Sequence, residues 1–127
     1  MNLLDNDRFA HAAIVAAGNH KEPFLPARMA SIWSGIEALL GLDHELRHRI
    51  SYLVAILLGT DRADQEARLS RTKKLYDLRS KCVHGAGLKE SEGEAALVES
   101  LDLLCDLTLH FARRGRLLSL AEQNGFF

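Results

Sequence analysis

The 127-residue chain is poor in cysteine, proline and aromatic residues, with two cysteines, two prolines and one tryptophan, and it carries almost no excess charge of either sign. Each scarcity excludes something. Cys82 and Cys105 are too few for a disulfide framework, and both fall in helical, partly apolar patterns that suit reduced thiols in a reducing compartment. Sixteen basic against seventeen acidic residues leave a formal charge of -1, so no overall field draws in nucleic acid and any anion binding is local. No apolar run approaches the ~18 residues that a membrane span needs. The first residues, Met1 to Asp7, are acidic where an export signal is basic, which predicts a cytoplasmic protein with neither leader nor membrane partner. What is present is 47% hydrophobic residues in a length that suits one domain over 1–127.

The apolar spacing is helical throughout, and no stretch alternates as a strand does. Asp5 or Asn6 can cap a first helix through Phe9, Ala13, Ile14 and Ala17, stopped by Gly18-Asn19-His20. Lys21 to Pro26 holds both prolines and reads as a loop before a second helix from Arg28 to Leu40. Gly41 ends that helix and Asp43 can cap a third, whose Leu46, Ile50, Leu53, Val54, Leu57 and Leu58 mark it as the expected centre of the core. Thr60 or Asp61 opens a fourth helix to about Val83, sparse in apolar residues and charged elsewhere. After Gly85-Ala86-Gly87, the acidic stretch Glu90 to Glu94 precedes a final helix that runs to about Glu122, with Gly115 as its weak point. The expectation is an all-α protein, an antiparallel bundle of four to five helices.

The segment with the most chemistry is Leu75-Tyr76-Asp77-Leu78-Arg79-Ser80-Lys81-Cys82-Val83-His84-Gly85. Arg79 and His84 are five residues apart, a turn of about 140° on a regular helix, so they converge within one chain only if the helix frays near His84. Gly85 and Gly87 make such an end plausible.

This segment, together with Ser34-Gly35-Ile36-Glu37-Ala38-Leu39-Leu40-Gly41 and the helix around Arg49-Ile50-Ser51-Tyr52-Leu53, resembles the HEPN superfamily and within it the Apea-like group. The matching pieces span about half the chain in the same order. The resemblance implies a HEPN-like helical bundle, a homodimer in which two Arg-x-x-x-x-His elements face each other, and metal-independent endoribonuclease activity in toxin, antiphage or RNA-processing systems. Other members of the superfamily are noncatalytic, which keeps a helical module that binds RNA, a nucleotide or a protein as the alternative. Carried onto this chain, the catalytic pair is Arg79 and His84, and the partners implied are RNA, a second copy, and an antitoxin or defence-system protein. Ser80 follows the arginine, as in Apea-like members. The tyrosine that some toxins of the superfamily carry two residues after the histidine, a target of adenylylation, is replaced by Ala86.

The residue types suit that chemistry. Cutting RNA without a metal requires activating the 2′-hydroxyl, stabilising a phosphorane and protonating the leaving oxygen, and would leave 2′,3′-cyclic phosphate ends. Histidine titrates near pH ~6.5, and arginine offers a permanently charged fork to phosphate oxygens. Ser80, Lys81, Lys74 and Tyr76 are the candidate substrate contacts, with Glu37 and Arg49 in support. Arg68, Arg71 and Lys73 on the same helix read first as a solvated face. Glu37, in an otherwise apolar helix, reads first as a structural partner of Arg79 or Arg49 and second as a site carboxylate.

No cofactor or metal enters this reading. His44 and His48 share a helix face, but they lack a following glutamate and sit beside Arg47 and Arg49. Cys82 and His84, two apart, point to different sides of a helix. Trp33 and Tyr52 are core candidates, and Arg113, Arg114 and Arg116 suit a helix C-terminus.

Overall fold

The computed structural model describes residues 3–85 and 87–127, so Met1, Asn2 and the Ala86 position lie outside the described residues. The chain is all-helical. Five long helices, α1 (Asp7–Gly18), α2 (Leu25–Leu40), α3 (Leu46–Leu58), α4 (Arg62–His84) and α5 (Glu90–Arg114), are followed by a short α6 (Leu120–Phe126).

The helix ends follow local chemistry. The Asn6 side chain accepts from the Arg8 and Phe9 amides at the start of α1, and Asp61 accepts from the Asp64 amide at the start of α4. Helix α2 begins at Leu25, three residues earlier than expected from the sequence. Pro26 lies in its first turn, where a missing N–H costs nothing. Asp43 does not cap α3. Its side chain accepts from His44 Nδ1 at 2.8 Å, and Glu45, in the left-handed region at φ 50°, holds the N-cap place without a side-chain bond.

Glu90 to Glu94 form the first turns of α5 rather than a preceding loop, with Glu90 and Glu92 next to the positive end of the helix dipole. The last helix does not continue to Glu122. Gly115 turns left-handed at φ 82° and ends α5. Ser119 and Glu122 then bond each other's backbone amides in a capping box that starts α6.

The core centres on α2, not on α3. Met29, Ile32, Trp33, Ile36, Leu39 and Leu40 are all fully buried, because α2 packs against α1, α4 and α5 at once. Where α2 crosses α5, a Cβ on Gly35 would stand 3.2 Å from a Leu104 methyl carbon, so the bare backbone permits the close approach. Trp33 donates its indole N–H to Ser100 across that contact at 3.2 Å. Helix α3 keeps Ile56, Leu57 and Leu58 only half-buried. Helix α4 buries just Thr72, Leu75 and Cys82 and leaves most of its charged face to solvent. It runs antiparallel to α3 and α5: Arg47 early in α3 pairs with Asp77 late in α4, Arg71 pairs with Glu99, and the earlier Arg68 shares a groove with Leu58 at the end of α3 and with Asp106 further along α5.

Candidate functional site

The candidate site occupies the C-terminal half of α4. The helix stays regular through His84, and Gly85, left-handed at φ 69°, closes it with an N–H bond to the Lys81 carbonyl. The fraying expected near His84 is therefore absent, because the glycine takes the strained backbone conformation in place of the histidine. Arg79 and His84 remain about 140° apart around the axis and do not face one ligand within a single chain.

The other predicted residues sort onto two sides of the helix. Toward α2, the Arg79 guanidinium carbon lies 5.3 Å from the centre of the Tyr76 ring. That ring meets Trp33 edge-to-face, with centroids 5.6 Å apart. Arg79 is half-buried, and its Nε is fully buried with no hydrogen-bond partner among the described residues. Glu37 faces the same region, half-buried. Loss of solvent pushes its carboxyl above the usual carboxylate range, and the Arg79 charge partly offsets that shift. Among the described residues, neither Arg79 nor Arg49 forms an ion pair with Glu37. Arg49 bonds Glu45 instead at 3.2 Å and stacks over the Phe127 ring at 4.4 Å. The expected structural pairing of Glu37 is thus not found, since each arginine is engaged by aromatic rings or by a nearer acid.

On the outer side, Lys74 and Lys81 are exposed and lie within about 20° of each other, with His84 about 60° further round. Ser80 is half-buried beside them. Asp77, the acid on this stripe, is forked by Arg47 of α3 with bonds of 2.8 and 3.0 Å. Those bonds hold its carboxyl below the ordinary range despite some desolvation, and the Lys81 charge adds to the shift. Sequence reasoning missed Arg47 as a site residue, because its partner lies thirty residues away on another helix.

The solvated-face reading holds for Arg68 and Arg71, which are paired with Asp64 at 2.9 Å and Glu99 at 2.5 Å. Lys73, Lys74 and Lys81 have no ion pair among the described residues. At the turn after α4, a cavity of about 430 Å³ is lined by Lys81, Cys82, Gly85, Gly87 and Lys89, among others. Lys89 carries no signal in the sequence, because nothing local distinguishes it from a loop lysine. Burial pushes the Cys82 thiol up, which disfavours a thiolate there.

Among the described residues, no three His, Cys, Asp or Glu side chains gather as metal ligands. His44 turns to Asp43, and His48 lies against the Tyr52 ring. None of the described helices is long and apolar enough to cross a membrane. No family model, no curated protein and no solved structure matches the chain. The fold and site define an all-helical bundle with a basic, aromatic-backed helix end.

Proposed function

We propose that the chain is a HEPN-type endoribonuclease that needs no metal and acts as a homodimer. The reading rests on the Leu75–Gly85 segment, and the observation that carries it is the state of Arg79. Arg68 and Arg71, on the same helix, end on carboxylates. Arg79 ends against an aromatic ring with its Nε unpartnered. Nε lies out of reach of solvent, so a phosphate would meet the terminal nitrogens of this half-buried guanidinium, which no carboxylate occupies among the described residues.

Because Arg79 and His84 diverge within one chain, the phosphate held by Arg79 meets the imidazole of a second copy. One neutral His84 takes the proton from the 2′-hydroxyl as that oxygen attacks phosphorus. Arg79 spreads its charge over the non-bridging oxygens of the phosphorane. A protonated His84 donates to the departing 5′-oxygen, giving a 2′,3′-cyclic phosphate and a 5′-hydroxyl. Lys74, Ser80 and Lys81 bind the flanking strand, and Tyr76 backs the arginine. A toxin or antiphage setting, with an antitoxin or defence-system protein as partner, belongs to the same proposal.

The test is cleavage of single-stranded RNA by purified protein in excess chelator, with end-group analysis. Cyclic phosphate ends are expected, together with a loss of at least ~100-fold in rate for Arg79→Ala and for His84→Ala. If both variants cut as well as the parent, the assignment is wrong. The 140° divergence favours one rival reading, a noncatalytic module that binds RNA, a nucleotide or a protein on the same face. RNA binding without cleavage would select it.

A further inference from the structure

A larger cavity lies away from this site. A groove of about 750 Å³ opens between the end of α3, the first half of α4 and the end of α5. Its volume falls in the range of small-molecule sites, roughly 300–1,000 Å³. The α4 residue on its wall, Arg68, precedes Arg79 by eleven positions, about 16 Å along the helix.

The groove lining mixes apolar residues with charges of both signs. Its aliphatic lining is Ile56, Leu57 and Leu58 of α3 and Leu109 of α5, the last 51% exposed, and the rest of its lining is charged or polar. Of the three arginines on the rim, Arg68 is committed to Asp64 and Arg114 to Glu122. Arg113 is exposed and has no ion pair among the described residues. A basic residue in the last turn suits the helix dipole. That accounts for the position of Arg113, and it leaves a guanidinium without an ion pair among the described residues beside the apolar part of the groove lining. His110 lies half-buried one turn back, its imidazole pushed toward the neutral form by burial and then by the Arg114 charge. Asp106 lines the groove seven residues before Arg113, about 10 Å along the axis. Its carboxylate opposes a ligand with negative charge at both ends.

From this arrangement we infer that the groove binds a small amphipathic monoanion, its apolar body on Ile56, Leu57, Leu58 and Leu109 and its anionic head on Arg113. The inference does not depend on the RNA reading, since neither Arg79 nor His84 takes part.

The probe is 1-anilinonaphthalene-8-sulfonate, an apolar double ring with one sulfonate, titrated against the full chain. Saturable one-to-one binding is expected, with amide shifts at Leu57, Leu109 and His110. Arg113→Ala removes one charge-assisted contact and weakens binding about tenfold. Arg113→Glu weakens it further, while Arg79→Ala leaves it unchanged. Arg113 is exposed and has no ion pair among the described residues, so both of its variants keep the helical circular dichroism of the parent. The uncharged analogue N-phenyl-1-naphthylamine binds more weakly than the sulfonate. Dodecanoate and 1-naphthalenesulfonate as competitors separate an aliphatic carboxylate from an aromatic sulfonate, and at least one displaces the probe. Unchanged affinity in both Arg113 variants, equal binding of the uncharged analogue, shifts confined to other helices, or displacement by neither competitor would overturn the inference.

Discussion

Replacing Gly41 by alanine tests how the start of the chain and α6 are tied to the end of α2. Gly41 sits at φ +70°, where a side chain costs about 1 kcal/mol. An added Cβ would also collide with the Gln123 amide nitrogen and stand 2.5 Å from Arg8 Nη2. These are the groups that hold the free carbonyls at the end of α2. Arg8 donates to Ala38 at 2.6 Å and to Leu39 at 3.0 Å. Gln123 donates to Leu40 at 2.9 Å. Displacing both loses two charge-assisted bonds and one neutral bond. Both colliding groups are far ends of flexible side chains that can swing aside and keep part of their bonding, so with the backbone strain the total is about 2–3 kcal/mol, still a large share of the stability of a domain this size.

Urea unfolding followed by Trp33 fluorescence reads the loss as a lower midpoint at constant slope. The collision is specific, so Gly41→Ala introduced into an Arg8→Ala, Gln123→Ala background costs only the backbone share, about 1 kcal/mol. A Gly41→Ala protein within about 0.5 kcal/mol of the parent, or the same large cost in both backgrounds, would refute the reasoning.

The same geometry makes three further outcomes testable. Arg79→Met leaves stability within about 1 kcal/mol, because the buried Nε makes no bond to lose, and it removes RNA cleavage; a stability loss above ~2 kcal/mol would mark Arg79 as structural. Ser100→Ala orphans the buried indole N–H of Trp33 and lowers stability by about 1–3 kcal/mol in chemical unfolding, and a parent-like midpoint would count against that bond. The Glu122 carboxyl is held at about 2, first by the Ser119 amide and then by Arg116 and Arg114, so its contribution to docking α6 is complete above 4.5 and is lost as pH falls toward 2. Amide resonances of Leu120–Phe126 tracked through an acid titration should broaden or shift in that window in the parent, and Glu122→Gln should abolish the transition; an α6 indifferent to pH in the parent would contradict it.

The helical class, the five long helices and most of their ends were legible because their causes are local. Apolar spacing, Asp5 or Asn6 and Thr60 or Asp61 as cap candidates, and Gly41 and Gly85 as stops each act within a turn of chain. The departures have local causes too. Pro26 reads as a breaker in sequence although it fits a first turn. The Ser119–Glu122 capping box separates α6 from α5, where apolar spacing alone merges the two. The central position of α2 was not legible, because apolar residues on α2 and α3 look alike until their neighbours are known. The motif segment stood out in sequence, yet its two key side chains proved to diverge, since a glycine can either fray a helix or cap it, and the backbone it adopts decides which.

By itself, the sequence determined that this is a helical bundle, where most of its turns fall, and which eleven-residue segment carries an arginine and a histidine five apart. Tertiary structure alone decided which charges are spent across helices: Asp77 on Arg47, Arg71 on Glu99 and Arg49 over the Phe127 ring, with no carboxylate brought to Arg79 among the described residues. The physical reason is range. Backbone preference and helical periodicity act over a few residues, whereas an ion pair forms between whichever side chains packing brings within a few ångströms, however far apart they lie along the chain.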